Sequence, residues 1–235
     1  MLQKVKSFFL SQKKQKTSEA QSIALKSETH ICKCCFKKIE TFSMHSILFS
    51  EPKLCHRCFE SFNPVLRRFS VQNIDAFHIY YYDDVIKEKL YQLKGCFDYE
   101  LAPIFLEYFI PFLRIKYFGY TLIPAPSFID ADKERGFNHV VEIFKSIGLP
   151  ILSCIKKNKD VKQADLTSEE RSKIKDYLTI DNVDLSNKKI LLVDDVFTTG
   201  STIKAMIDLV SSKHPRKIKI LVMSKTAEID NYDIK

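Results

Sequence analysis

The segment "KKILLVDDVFTTGST" (188–202) constrains the fold of this chain more than any other stretch. Its apolar run is continuous rather than alternating, which is typical of a strand buried on both faces. A helical pattern follows in "STIKAMIDLVSSK" (201–213), and a further apolar strand in "KIKILVMSK" (217–225). Because a strand, a helix and a strand in this order form a right-handed crossover, the segment predicts an α/β domain with a parallel sheet.

The preceding part of the chain repeats this alternation. We predict strands at "DAFHIYYY" (75–82), "TLIPAP" (121–126) and "PILSCIKK" (150–157). We predict helices at "DVIKEKLYQLK" (84–94), "LAPIFLEYFIPFLRI" (101–115) and "NHVVEIFKSIG" (138–148). The predicted sheet therefore extends over most of the second half of the chain and part of the first.

Composition divides the chain into three parts. Residues 1–29 form a basic polar extension, residues 30–63 hold five of the seven cysteines, and residues 64–235 carry the α/β pattern. The extension lacks the apolar core of a secretory signal, and the longest apolar stretch (101–123) is interrupted by charges and prolines. We therefore expect no membrane span and a cytoplasmic protein. The extension could lead DNA, a membrane surface or a partner to the protein, or act as a solubilising tail.

The net charge of the chain is +8, from 37 Lys and Arg against 29 Asp and Glu. Such an excess favours polyanionic partners, including nucleic acid, phosphate esters and anionic membrane surfaces. A merely soluble basic protein would have the same balance. Charge alone therefore does not identify the partner.

Two Cys-x-x-Cys pairs stand in the first half of the chain, Cys32 with Cys35 and Cys55 with Cys58. Each pair lets two thiolates converge on one metal, and two pairs complete the tetrahedral sulfur set that Zn²⁺ prefers. Because all four positions would be filled, we predict a structural zinc site. Buried free thiols or disulfides are the alternative.

The other cysteines and the histidines receive weaker predictions. Cys34 could replace Cys32 as a ligand, and His56 is expected to be a bystander. Cys96 and Cys154 stand in apolar segments and are predicted to be core residues. The histidines have no paired spacing and are assigned to the core or the surface; they are residues 30, 45, 56, 78, 139 and 214.

The hydroxyl loop after the strand predicts a phosphate site. A strand that turns into a helix brings backbone N–H groups and the helix N-terminus to one point, where both favour an anion. Gly200 permits close approach of the backbone. Asp194 and Asp195 stand directly before the loop, within reach of the hydroxyls of a ribose. The hydroxyl residues of the loop are Thr198, Thr199, Ser201 and Thr202. The simpler alternative is a helix start capped by one Ser or Thr.

At these residues the chain resembles the type I phosphoribosyltransferases, in which an apolar strand, two acids and a Thr-Thr-Gly loop hold 5-phosphoribosyl-1-pyrophosphate. Together with the cysteine pairs, it resembles the ComF/GntX family of competence proteins over residues 30–225. The resemblance implies a phosphoribosyltransferase-like domain preceded by a zinc ribbon. It also implies Mg²⁺ bound with the sugar pyrophosphate.

The resemblance extends to three further segments. "IPAPSFIDADKERGFN" (123–138) would place Arg135, Gly136, Phe137 and Asn138 near the pyrophosphate. "KQADLTSEER" (162–171) resembles a flexible loop with Gln163, Leu166 and Arg171, and the segment 80–102 supplies Lys94 and Asp98. Solvated surface positions for the two arginines, and a helix C-terminal cap for Lys94, are the alternatives. Ile174 and Phe97 depart from the family pattern, which commonly has Asn and Gly there.

The resemblance implies a role in DNA uptake during natural transformation, with Asp194 and Asp195 as the catalytic candidates and an acceptor that the sequence does not name. Partners would be the sugar pyrophosphate, single-stranded DNA and other competence proteins. The second hypothesis is a non-catalytic protein that binds single-stranded DNA through its basic surface. The aromatic and basic residues considered for it are Phe59, Phe62 and Phe69 with Arg57, Arg67 and Arg68, which could instead pack the cysteine module onto the main domain.

Overall fold

The computed structural model of the chain describes residues 30–39, 52–127, 129–157 and 178–227. The basic extension (1–29) and the predicted site residues Gln163, Leu166 and Arg171 lie outside the described residues. The helices are α1 (His56–Ser61), α2 (Asp84–Gly95), α3 (Ile110–Lys116), α4 (Ile129–Arg135), α5 (His139–Lys145) and α6 (Ser201–Ser211). The strands are β1 (Arg67–Val71), β2 (Ile74–Tyr81), β3 (Tyr120–Pro124), β4 (Ile155–Lys157), β5 (Leu178–Ile180), β6 (Lys189–Phe197) and β7 (Lys217–Lys225).

The central sheet has five strands in the order β1-β2-β7-β6-β3. Strands β2, β7, β6 and β3 are parallel to one another. Strand β1 pairs antiparallel with β2 at the edge of the sheet. Apolar clusters cover both faces of the sheet. Leu191 and Val193 of β6 face one cluster and Ile190 and Leu192 the other, as the pleat requires. The predicted α/β class with a mostly parallel sheet is confirmed.

Two segments differ from their predictions. The single helix expected over 101–115 is instead two 3-10 helices, Tyr99–Phe105 and Glu107–Phe109, followed by α3. Pro111 lies in the first turn of α3, where its missing N–H group is tolerated. The strand expected over 150–157 is reduced to β4, which pairs with β5 in a separate two-stranded sheet, and to one bridge between Ile151 and Leu122.

The cysteine module packs directly on one face of the sheet. Cys32, Leu54 and Phe62 are fully buried and belong to the same apolar cluster as Phe77. Phe59 stacks on Tyr108, with ring centroids 3.9 Å apart. The packing role considered for Phe59 and Phe62 is therefore correct. The boundaries 1–29, 30–63 and 64–235 stay predictions.

The edge residues considered for nucleic-acid binding also pack on the domain. Phe69 of β1 contacts Phe197, with ring centroids 5.1 Å apart, and the guanidinium of Arg67 lies 5.9 Å from the ring centroid of Tyr81. No helix in the described ranges is long and apolar enough to cross a bilayer.

Candidate functional site

The hydroxyl loop lies at the carboxyl end of β6, where the chain turns into α6. Gly200 has a φ of 72°, in the left-handed region that favours glycine. A Cβ atom at this position would lie 2.7 Å from Cε2 of Phe197 and closer still to Cζ. Because the Phe197 ring is buried against the sheet, it cannot move aside freely. The turn therefore requires glycine both for its dihedral angles and for space.

The first turn of α6 has no side-chain cap, because its N-cap residue is Gly200. Two other helices of the domain are capped. Asp83 accepts the N–H of Ile86 at the start of α2, at 2.9 Å. Asn138 accepts the N–H of Val141 at the start of α5, at 3.0 Å. The alternative in which a loop hydroxyl residue is the N-cap of α6 is wrong. The Ser201 amide makes a long contact of 3.4 Å with the Thr199 hydroxyl, and a turn of this kind can present its amide groups to an anion.

The loop also offers hydroxyl groups and one cation. The hydroxyl oxygens of Thr199 and Ser201 are 2.7 Å apart, and the Ser201 N–H lies 3.4 Å from the Thr199 hydroxyl. Nζ of Lys204 lies 3.5 Å from the Thr199 carbonyl oxygen. Thr198 is exposed and Thr202 half-buried. All five predicted loop residues thus lie in or beside one turn.

The two acids at the end of β6 have different surroundings, because successive side chains of a strand point to opposite faces. Asp195 is 6% exposed, forms an ion pair with Lys94 of α2, and lies 3.5 Å from Nε2 of His139. Asp194 is half-buried, and its Oδ1 accepts the N–H of Asp195 at 2.9 Å. Its charge also acts on Lys157 of β4. Asp195 is therefore held by side chains, whereas Asp194 retains more exposure.

His139 connects Asp195 to Arg135. The guanidinium Nη1 of Arg135 lies 2.7 Å from Nδ1 of His139. Because a guanidinium can only donate, Nδ1 must accept, and the neutral ring carries its proton on Nε2. That nitrogen faces the Asp195 carboxylate. The geometry thus fixes the tautomer of His139 and directs an N–H toward Asp195.

The pKa values of these groups diverge. Burial raises the pKa of Asp194 well above its usual range, and the neighbouring Asp195 charge adds to the effect. Burial also opposes ionisation of Asp195, but the Lys94 ammonium and His139 outweigh it and lower the pKa of Asp195. Burial lowers the pKa of His139, although Asp195 acts in the other direction. The site therefore places an ionised Asp195 next to Asp194, which takes up a proton more readily.

The loop predicted from "RGFN" lies beside this network. Only 8% of the Arg135 side chain is exposed, so it is not a solvated surface arginine. Nδ2 of Asn138 donates to Oγ of Ser127 and to Oδ2 of Asp132, both at 2.9 Å. These bonds fix the turn between α4 and α5 against the end of β3. Gly136, with a φ of 80°, permits the turn.

The structure brings Lys94, Arg135, Asp194 and Asp195 together, and the hydroxyl loop follows the acids directly. Lys94 points to Asp195 rather than capping the end of α2. The assignment of His139 to the core or surface, made because it lacks a paired histidine, is incomplete: the ring is buried but belongs to the acidic site. Its position four residues after Arg135 in a predicted helix start was the available signal. The predictions for Gln163 and Arg171 lie outside the described residues.

The four cysteines of the two pairs converge as their spacing predicts. The sulfur atoms of Cys32, Cys35, Cys55 and Cys58 all lie within 4.8 Å of one another. All are free thiols, which excludes the disulfide alternative for these residues. The cluster contains Cys32 and not Cys34. Burial opposes ionisation of Cys35, but the Lys37 amide and neighbouring thiols lower its pKa to about 7.

Of the two predicted core cysteines, Cys154 is buried, but Cys96 is exposed. Cys96 is the C-cap residue of α2 and follows Leu93, the last buried position of that helix. An apolar sequence neighbourhood therefore gave the wrong environment for Cys96.

Contacts from the main domain hold the two cysteine pairs in place. The Lys33 N–H donates to the Lys53 carbonyl at 2.8 Å, which connects the two pairs. The Lys53 N–H donates to Oε1 of the buried Glu107 at 2.8 Å. The Tyr108 hydroxyl donates to the Leu54 carbonyl at 3.4 Å. The cluster is thus fixed by the 3-10 helix Glu107–Phe109.

These features define a phosphoribosyltransferase-like domain preceded by a four-cysteine cluster. The family model described as "Phosphoribosyl transferase domain" matches residues 136–233. Competence protein ComFC of Streptococcus pneumoniae is 27% identical over 141 residues, which cover 60% of this chain and 64% of that protein. The chain thus spans less than two thirds of this relative. The resemblance expected from the sequence is confirmed: the chain is similar to ComFC, and its residues 136–233 match the phosphoribosyltransferase domain.

Solved structures give more distant matches. A hypoxanthine phosphoribosyltransferase from Staphylococcus aureus is 15% identical, with a TM-score of 0.37, over 57% of this chain and 68% of that one. A hypoxanthine-guanine phosphoribosyltransferase from Bacillus anthracis is 14% identical, with a TM-score of 0.38, over 59% of this chain and 76% of that one.

Proposed function

We propose that the chain binds 5-phosphoribosyl-1-pyrophosphate with Mg²⁺ at the end of β6 and acts in DNA uptake, as a cytoplasmic competence protein. The observation that carries this proposal is the uncapped start of α6 directly after two carboxylates. An uncapped helix start suits a phosphate group, and carboxylates suit the hydroxyls of a sugar. The similarity to the pneumococcal competence protein supports the competence role.

Different residues of the site would hold different parts of the ligand. The amide groups from Gly200 to Thr202, with the loop hydroxyls, would hold the 5′-phosphate. Asp194, the more exposed acid, would orient the ribose hydroxyls. Asp195 would position the Lys94 ammonium beside the ligand, and the N–H that His139 directs at Asp195 would hold this carboxylate in place. Such a site acts by orientation and by fixed charge rather than by covalent chemistry.

The acidic residues fit a role for Mg²⁺. Mg²⁺ prefers oxygen ligands and is commonly held by one or two carboxylates together with phosphates of the substrate. Asp194 is half-buried next to Asp195, whose buried Oδ2 atom is already paired with Lys94 and lies 3.5 Å from Nε2 of His139, so Asp194 offers the more accessible oxygen ligand. When bound, the ion would neutralise pyrophosphate charge. We propose the four-cysteine cluster as a separate, structural zinc site, since four thiolates fill a tetrahedral shell.

Calorimetry with the sugar pyrophosphate tests the proposal. We expect binding that requires Mg²⁺, and a loss of roughly tenfold or more in affinity for Asp194→Ala and Asp195→Ala. Lys87→Gln, which changes an exposed residue of α2, should bind as the wild type does. Pyrophosphate release would then be measured with a panel of bases, ammonia and amines. Wild-type protein that binds no sugar pyrophosphate would refute the proposal; binding without release would retain the site and exclude catalysis with the acceptors tested.

A second proposal is that single-stranded DNA binds beside this site. Tyr91, Phe97 and Tyr99 are large exposed rings, at 66%, 45% and 42% exposure, around the end of α2. Nζ of Lys145 lies 4.9 Å from the ring centroid of Tyr99, and Tyr99 contacts Phe137 edge to face at 5.4 Å. Exposed rings beside cations are typical of surfaces that stack bases and neutralise phosphates. This surface replaces the one expected around Phe59 and Phe62.

Titration of an oligothymidine against salt concentration tests this second proposal. We expect affinity to fall steeply with salt, and Tyr99→Ala to weaken binding by roughly tenfold. Phe118→Ala is the control, because Phe118 is an even more exposed ring, at 79% exposure, that follows α3. Equal losses in both variants, or binding that ignores salt, would contradict the proposal.

A further inference from the structure

A cavity of about 120 Å³ lies at the amino-terminal ends of β2 and β7. The acidic site is at the opposite, carboxyl-terminal end of the strands. Arg68, Lys116 and Lys219 line it, together with Phe77, Tyr117 and Asp75. Arg68 is opposite Phe77 in the β1–β2 pairing, and Lys219 directly precedes Ile220, the first residue of β7 that pairs with β2. Lys116 enters from the end of α3. Three cations from three different elements therefore converge on one cavity.

The negative charge at this cavity is small. Of its lining residues, all in the described part of the chain, Asp75 alone is acidic. Its carboxylate lies 3.9 Å from Nζ of Lys219, and its side chain is mostly exposed. A distant, solvated carboxylate offsets little of the repulsion among three cations. The cavity therefore has an excess of positive charge.

Lys116 shows the effect of this excess. Its Nζ lies 3.4 Å from the ring centroid of Phe77 and 5.7 Å from that of Tyr117. Burial lowers the pKa of Lys116 to about 8, and the charges of Arg68 and Lys219 act in the same direction. The ring contacts explain why Lys116 lies in the cavity, but they do not explain why Arg68 and Lys219 line the same cavity.

The adjoining strand ends add to the positive charge. Lys189 and Lys217 are directly paired at the starts of β6 and β7. Neither side chain lines the cavity, but like charges in such positions repel one another and add to the positive potential at this end of the sheet. A phosphate group is small enough for the cavity and carries the charge that these side chains lack.

We propose that this cavity is a second anion site, which binds a phosphate group through Arg68, Lys116 and Lys219 independently of the hydroxyl loop. The anion is either free phosphate or the terminal phosphate of a nucleotide whose remaining parts lie outside the cavity. Because the two sites lie at opposite ends of the strands, this proposal is independent of the proposed sugar-pyrophosphate site, and each can be tested without the other.

Equilibrium dialysis with inorganic phosphate tests this in a Ser201→Asp background. The added carboxylate repels phosphate from the hydroxyl loop, while an acid at the start of α6 suits the helix dipole. We expect this protein to bind one phosphate. Lys116→Met with Lys219→Gln should weaken that binding by roughly tenfold or more. Methionine keeps the packing on Phe77 without the charge. Lys87→Gln, at an exposed position of α2, should have no effect.

A second variant guards against loss of fold. Lys219→Gln alone removes one partly exposed charge and should weaken phosphate binding by roughly threefold while far-ultraviolet dichroism stays unchanged. A parallel arm uses thymidine 5′-monophosphate. Equal affinities identify the free phosphate group as the ligand, and tighter binding of the nucleotide identifies a nucleotide phosphate. No phosphate binding in the Ser201→Asp protein, or binding that the two lysine variants leave unchanged, would overturn the proposal.

Discussion

The four-cysteine cluster and the hydroxyl-loop site are built in opposite ways. In the cluster, four side chains from two chain segments bring their sulfur atoms within 4.8 Å of one another. In the loop, the proposed anion-binding groups are backbone amides of consecutive residues, and their position depends on the backbone of Gly200. A site of the first kind fails when one side chain is lost. A site of the second kind tolerates side-chain changes but not a change of backbone.

The largest effect is expected at the cluster, from Cys55→Ser. A structural zinc site contributes its binding energy to folding, so we expect a loss of ~5 kcal/mol or more in the free energy of unfolding. Because Cys32 and Leu54 share an apolar cluster with the sheet, the loss should extend to the main domain. Metal content by mass spectrometry and urea unfolding would measure both effects.

Two other cysteines are the controls for this substitution. Cys96→Ser, at an exposed helix end, and Cys34→Ser, outside the four-sulfur set, should keep the metal and the stability. Full zinc content in Cys55→Ser, or loss of zinc in Cys34→Ser, would show that the cluster has a different ligand set.

The two acids should respond differently to the loss of charge. Asp195→Asn leaves Lys94 and His139 without their carboxylate, and we expect a loss of ~2 kcal/mol, discounted for the partial exposure of Lys94. Asp194→Asn keeps an oxygen for the Asp195 N–H and also removes a charge that burial disfavours, so it should raise the free energy of unfolding at neutral pH. Urea unfolding at neutral pH would compare the two. Equal losses would contradict the different surroundings of the acids.

The pH dependence of unfolding sharpens the same comparison. The folded-state pKa of Asp195 is lowered, so its stabilising effect is present above its unfolded pKa of about 4 and is lost as the pH falls toward the folded value. Asp195→Asn should therefore flatten the acid limb of the stability curve. The folded-state pKa of Asp194 is raised, so its ionisation destabilises the fold as the pH rises above about 4. Asp194→Asn should remove that decline. An unchanged acid limb in Asp195→Asn would count against the ion pair.

The sequence predicted contiguous features well. The cysteine pairs, the strand β6 and the hydroxyl loop each lie in one or two short segments, and their local spacing carries the chemistry. The α/β class followed from β6, α6 and β7 for the same reason. Side-chain ligation and backbone turns are local properties, so they are visible before the fold is known.

Partners from distant segments were harder to predict. His139 reaches Asp195 only because α5 packs beside β6, and no periodicity in its own segment indicates this contact. Lys94 and Arg135 were named through resemblance, not through spacing. The prediction of one helix over 101–115 was wrong, because tertiary packing favours 3-10 turns before Pro111. The basic cavity could not be predicted from the sequence, because Arg68, Lys116 and Lys219 belong to three separate elements and converge only in the folded chain.

Gly200→Ala tests the claim that the loop depends on its backbone. A Cβ atom there would collide with the buried Phe197 ring, and alanine is strained at a φ of 72°. We expect a loss of ~1–2 kcal/mol in stability and a larger loss of phosphate binding. Thr202→Val, which removes one hydroxyl but keeps the amide, should retain most of the affinity. Calorimetry with inorganic phosphate would compare the two, and a greater loss in Thr202→Val would reverse our assignment of the binding groups.

The smallest effect concerns Phe97, which departs from the glycine common at this position. Its φ is 59°, in the left-handed region, and the N–H of the next residue, Asp98, donates to the Gln92 carbonyl at 3.1 Å. Because Phe97 is largely exposed, its side chain compensates little for the backbone strain. Phe97→Gly should therefore raise stability by ~0.5 kcal/mol, the relief of strain being partly cancelled by the entropy of glycine in the unfolded chain. Thermal unfolding would detect the gain. A loss instead would mean that the Phe97 ring has a packing role, and reduced oligothymidine binding at unchanged stability would assign the ring to the DNA surface.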